Sequence, residues 1–73
     1  MNSELLKHLR LQRGETRRAV AMATGLTENS ILLYESGRAN NPRLDTLKAL
    51  SDHFGIEISD LISDEERGRA EPA

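Results

Sequence analysis

Apolar residues recur along this chain at helical spacing. Leu5, Leu6 and Leu9 form one stripe; Val20, Ala21 and Thr24, at i, i+1 and i+4, form a second; Ile31 and Tyr34, at i and i+3, form a third; and Leu44, Leu47, Leu50 and Phe54 form a fourth that faces inward. Residues that start helices precede these stripes. Asn2 or Ser3, Thr16 and Thr27 each carry a side-chain oxygen that can accept from an orphan amide of the following turn. Residues that stop helices follow them: Gly14, Gly25, Gly37 and Gly55, since glycine adopts the left-handed conformation without a Cβ penalty. The pattern predicts a first helix from the Asn2/Ser3 cap to about Arg13, a second between Thr16 and Gly25, a third between Thr27 and Gly37, and a fourth over Leu44 to Phe54. Ile56 and Ile58 then bracket an exposed Glu57, and Ser59 can cap a short fifth helix carrying Leu61 and Ile62.

The second and third helices are joined by a tight turn in which Leu26 is a core anchor. Ala21 is small where two helices crossing at a steep angle must touch, so Thr16 to Gly37 reads as a helix-turn-helix by spacing alone. The polar loop Arg38-Ala39-Asn40-Asn41-Pro42-Arg43 follows, with Asn41 extended because it precedes proline. Residues 1–63 form one domain in this reading, and 64–73 (DEERGRAEPA), without periodicity or bulky apolar residues, a disordered charged tail.

Composition narrows the class. A chain of 73 residues has room for one small core, and with 37% hydrophobic residues but a single Tyr and a single Phe that core is built from Leu, Ile, Val and Ala, which favours helices over a sheet. There is no cysteine, hence no disulfide and no thiolate metal site. No apolar run approaches a signal peptide or membrane span, so a cytoplasmic domain is the expectation. His8 and His53 lie on different helices, with no acidic pair at catalytic spacing and no glycine-rich phosphate loop; no enzyme, cofactor, metal or small-molecule ligand is expected. The net charge of −2 argues at first sight against nucleic acid, but Met1 to Arg43 holds seven Lys/Arg against four Asp/Glu, and Leu44 to Ala73 three against eight. Either the molecule presents a basic face from the half that carries the helix-turn-helix, or this is charge scatter in a short chain.

The run L-K-x-L-R, then G-x-T-x-x-x-V-A-x-x-x-G-L-T, then S-I-x-x-Y-E-x-G, then P-x-L-D-T-L and F-G-I resembles the phage-repressor and Cro helix-turn-helix family, also called the XRE family, over Leu5 to Ile62. The resemblance implies an all-α, five-helix lambda-repressor-like DNA-binding domain with the helix-turn-helix at helices two and three. It implies double-stranded DNA as partner and a homodimer on two half-sites.

A recognition helix offers the major groove its N-terminal residues and those one turn on. Here these are Thr27, Glu28, Asn29, Ser30, Leu32 and Leu33. Asn29 can bond adenine N6 and N7, Ser30 a base or a phosphate, and Glu28 cytosine N4. Arg17 and Arg18, with Thr16, would lie where helix two crosses the backbone, helped by the helix N-terminus. The family usually has Gln at position 17, where it can reach bases; Arg17 makes a guanine contact possible. Against this, Arg17 and Arg18 can form an ordinary solvated face. Leu33, about 200° from Ile31, points outward. It and Leu32 contact thymine methyls or form a protein-binding surface, unless the helix is rolled so as to bury Leu32.

In the loop, Arg38, Asn40, Asn41 and Arg43 are donors placed for the phosphodiester backbone, although both asparagines are also good turn formers. In the family a basic residue after Pro42 can enter the minor groove, and Arg43 is the candidate. Lys7, Arg10 and Arg13 recur every three residues as a basic edge drifting around helix one. The resemblance also implies a partly buried ion pair between Arg10 and Glu35, with Arg10 free in addition to face a phosphate. The self-contact is expected around Leu44, Glu57 and Ile58, unless Ile58 packs onto the last helix. Two functional readings remain. One is a sequence-specific transcriptional regulator, a small phage- or bacterial-type repressor on a palindromic operator. The other is a protein-interaction module, antitoxin or anti-repressor, working through the apolar face of helix three.

Overall fold

Three of the helices begin where a side-chain oxygen precedes an apolar stripe. Asn2 Oδ1 accepts from the Leu5 N–H at 3.1 Å, Thr16 Oγ1 from Ala19 at 3.0 Å and Thr27 Oγ1 from Ser30 at 3.0 Å; each such cap contributes about 1 kcal/mol. The computed structural model describes residues 1–39 and 41–62. It has five helices, α1 Ser3–Gln12, α2 Arg17–Thr24, α3 Glu28–Glu35, α4 Leu44–Phe54 and α5 Ile58–Leu61, and no strand among the described residues. The expectations for Asn40 and for the tail 64–73 lie outside the described residues.

The turn between α2 and α3 depends on Gly25. Its φ of 74° is left-handed, and the N–H groups of Gly25 and Leu26 both return to the Ala21 carbonyl. That closure folds Leu26 back onto the core and sends the chain sharply into α3. Ala21, only 4% exposed, lies within the α2–α3 pair, the most intimately packed in the molecule.

Around that pair, Leu6 of α1, Val20 of α2, Ile31 of α3, Leu50 and Phe54 of α4 and Leu61 of α5 form one buried cluster, with Leu9, Leu26, Tyr34, Leu47 and Ile56 packed at its margin. Burying a side chain of this size contributes about 1.5–3 kcal/mol. Every helix therefore supplies at least one residue to a core whose job is to fix α2 and α3 relative to each other.

Several positions differ from the sequence reading. Leu44 is 71% exposed rather than inward. It lies about 120° around α4 from Leu50, whereas Thr46 lies within about 40° of it, and it is Thr46 that is buried. Ser51, also buried, returns its hydroxyl to the Lys48 carbonyl at 2.9 Å, which removes the penalty of enclosing it. The fifth helix is capped by Glu57, not Ser59: the Glu57 N–H donates to Asp60 Oδ2 at 3.2 Å, the back-reaching half of a capping box. Met1 belongs to the core, and the Asn2 N–H donates to the Leu61 carbonyl at 2.7 Å, tying the start of α1 to α5.

Candidate nucleic-acid interface

The two threonine caps set where α2 and α3 open, and so which side chains stand at their first turns. Arg17 is the first residue of α2, and Glu28, Asn29 and Leu32 occupy the first turn and a half of α3. These four line one open cleft of about 450 Å³ between the helices. Glu28 and Asn29 are exposed, and Leu32 is 43% exposed, so α3 is not rolled to bury it. Leu33 is half-buried rather than turned fully outward. The chain leaving α3 turns back at that point, with the Arg38 and Ala39 N–H groups both donating to its carbonyl.

The hydroxyls of Thr27 and Ser30 are engaged with each other at 2.8 Å, in addition to the cap bond, and Ser30 is half-buried. The Thr16 oxygen is likewise occupied as the α2 cap. Arg18, Arg38, Asn41 and Arg43 are all exposed, Arg18 in the first turn of α2 and the others on the α3–α4 connection. The structure thus brings Arg17, Glu28, Asn29 and Leu32 to one cleft, and leaves the backbone candidates outside it.

Behind the cleft lies a buried charge cluster. Arg10 donates from Nε and Nη2 to the two oxygens of Glu35, at 2.6 and 3.1 Å, and from Nη1 to the Glu15 carbonyl at 2.9 Å. Both side chains are nearly enclosed, with 9% and 2% of their surface exposed. Arg10 therefore has no edge left for a phosphate, and the supposed basic edge on α1 is broken up: Arg10 is inside and Arg13 pairs with Glu15 at 2.8 Å. Glu35 Oε1 also accepts from Arg17 Nε at 3.2 Å, a link that composition and stripe analysis did not foresee.

On the far side, His53 of α4 contacts both Glu15 oxygens at 2.9 and 3.0 Å, locking α4 onto the α1–α2 connection. Burial alone would raise the Glu15 carboxyl, but hydrogen bonds and charges from His53 and Arg13 outweigh it and hold the group below the ordinary glutamate range. His8 is exposed on α1. Among the described residues no group of three or more His, Asp or Glu side chains could hold a metal ion, and no helix is long and apolar enough to cross a membrane.

Residues 5–67 match the family profile of the Cro/C1-type helix-turn-helix DNA-binding domain. This chain belongs to that family. The Cro/C1-type domain serves DNA binding rather than catalysis, and here its helix-turn-helix is α2 and α3. Among curated proteins the chain is 35% identical over 66 residues to the cryptic phage CTXphi transcriptional repressor RstR of Vibrio cholerae; the match covers 90% of this chain and 59% of the length of RstR. Among solved structures it superposes on a chain of a SinR protein/SinI protein complex with a TM-score of 0.80 at 18% identity, covering 93% of this chain and 66% of that one. That likeness shows that the fold is shared although few side chains are.

Proposed function

We propose that this chain is the operator-reading part of a transcriptional repressor that binds a palindromic duplex as a homodimer. The observation that carries this reading is the cleft itself: α3 offers Glu28, Asn29 and Leu32 beside Arg17 of α2, at the helix start that family members lay in the major groove. Asn29 reads adenine through N6 and N7, Leu32 packs on a thymine methyl, and Arg17 reads guanine through O6 and N7. Arg18, Arg38, Asn41 and Arg43 hold the phosphate backbone, with Arg43, just after Pro42, at the minor groove. The similarity to RstR, a phage transcriptional repressor, supports repression as the outcome. Leu44, Glu57 and Ile58 form the self-contact; Leu44 and Glu57 are exposed and Ile58 is half-buried.

The exposure of Leu32 also supports a second reading, in which α3 docks on a protein, as an antitoxin or anti-repressor would. The SinR neighbour was solved with a protein partner. Selection from a randomised duplex pool, followed by binding at increasing salt, separates the two. The operator reading expects a two-fold symmetric consensus and a steep loss of affinity with salt. Absence of any enriched duplex, or an affinity indifferent to salt, would favour the protein partner.

A further inference from the structure

The Glu35 carboxylate is over-supplied with donors. Arg10 already satisfies both of its oxygens in a buried bidentate pair, yet Arg17 adds a third bond, from Nε to Oε1 at 3.2 Å. The two ends of that third bond differ: Glu35 is 2% exposed and fixed from behind, while the Arg17 side chain is 37% exposed and lines the cleft. A single, partly solvated link of this kind adds little to stability. Its larger consequence is to hold a long side chain in one rotamer. Nε takes the carboxylate, and among the described residues Arg17 makes no other hydrogen bond. The Nη1–Nη2 edge, which is the fork that matches a two-acceptor partner, is left unoccupied by the described residues.

We propose that Glu35 is a positioning residue for base readout, whose buried carboxylate, held by Arg10, presents the Nη edge of Arg17 in the cleft to the O6 and N7 of a guanine. The inference rests on the operator reading and goes beyond it by adding a specificity determinant that touches no base. Pre-ordering Arg17 lowers the entropy lost when it docks, so the gain falls on the one base pair that Arg17 meets. The arrangement also divides labour between two adjacent arginines. Arg17, partly neutralised by Glu35, contributes to base choice; Arg18, exposed and with no carboxylate partner among the described residues, contributes to general phosphate attraction.

The test uses duplexes selected from a fully randomised pool by the full chain, and by Arg17→Ala, the pair-free variant Arg10→Met/Glu35→Leu, and the triple variant combining all three changes. The full chain should enrich guanine at one position per half-site, with discrimination there of roughly 5- to 150-fold. Arg17→Ala should abolish it. The pair-free variant, which buries no lone charge, should lose most of that discrimination while keeping the preference at the adenine read by Asn29, and the triple variant should match Arg17→Ala at the guanine. Full guanine discrimination in the pair-free variant would overturn the proposal. A symmetric consensus with no Arg17-dependent guanine would overturn it while leaving the operator reading standing, and failure to enrich any duplex would overturn both. A measurement on the unaltered protein covers the case in which the variant does not fold. By nitrogen relaxation Arg17 Nε should be as rigid as the backbone, and an Arg17 Nε as mobile as that of Arg18 would refute the proposal.

Discussion

The Arg10–Glu35–Arg17 cluster predicts an unequal response to deletion from its two ends. Breaking a buried ion pair by removing one partner typically costs about 3–5 kcal/mol, because the other charge is left enclosed. Here the two ends are not equivalent. In Arg10→Met, Glu35 keeps one charged donor, Arg17 Nε at 3.2 Å, so the loss should fall near the lower figure, about 3 kcal/mol. In Glu35→Leu, the enclosed Arg10 keeps only the Glu15 carbonyl and faces Arg17 with no carboxylate between them, so the loss should approach about 5 kcal/mol. Removing both charges in Arg10→Met/Glu35→Leu should cost less than either single change, since apolar side chains of similar volume can fill the space. At about 0.05–0.15 kcal/mol per residue, a chain of 73 residues has about 4–11 kcal/mol in total, so Glu35→Leu stands at the edge of unfolding at ambient temperature. Urea denaturation followed by helical circular dichroism, run as a double-mutant cycle, measures all three. A double variant as unstable as the sum of the singles, or Arg10→Met costlier than Glu35→Leu, would refute the reasoning.

Gly25→Ala should destabilise by about 1–2 kcal/mol in the same assay, through the left-handed backbone alone, because a Cβ there meets nothing within 4 Å. Glu15→Gln should flatten the acid limb of the stability curve: the Glu15 carboxyl is lowered in the folded state, so its contribution is complete above the ordinary glutamate pKa of about 4.3 and is lost as pH falls through the lowered folded value. An unchanged acid midpoint would refute that. Arg18→Ala should weaken every duplex alike and reduce the log–log salt slope by about 0.9 per protomer, whereas Asn29→Ala should relax preference at one base pair with the slope intact. Leu44→Asp should shift the self-association measured by sedimentation toward monomer, and an unaltered sedimentation profile would place the self-contact elsewhere.

The backbone plan was readable because its signals are local. A threonine before an apolar stripe and a glycine after it need no tertiary knowledge, and Thr16, Thr27, Gly25 and Gly55 occupy those roles in the structure. The misreadings arose where local and global demands differ. Leu44 fits a stripe by hydrophobicity but stands at the first position of α4, too far around the helix to reach the core, while Thr46 reaches it despite its hydroxyl. For Met1 the sequence does carry a local sign, an apolar residue immediately before the Asn2 cap with Leu6 at the fourth helical position, the arrangement of a hydrophobic staple. Nothing in the sequence marked the Arg17–Glu35 bond or the His53–Glu15 contact, which join residues 18 and 38 positions apart once the core has set the helices in place.

The negative total charge and the proposed seating of DNA at the cleft are compatible because pairing and position sort the ions. Within Met1 to Arg43, two of the arginines are committed internally, Arg10 to Glu35 and Arg13 to Glu15, which also removes two of the four acidic groups from free display. The cations left in that half are Lys7, Arg18, Arg38 and Arg43 on exposed positions, with Arg17 shared between Glu35 and the cleft. The described acidic residues beyond Arg43, namely Asp45, Asp52, Glu57 and Asp60, are all exposed on α4 and α5 or the link between them. Internal pairing thus leaves the charge balance of each half unchanged but decides which ions remain for a partner, so on the proposed placement the field a duplex would feel at the α2–α3 cleft depends on Arg17, Arg18 and Glu28 more than on the sum over the chain.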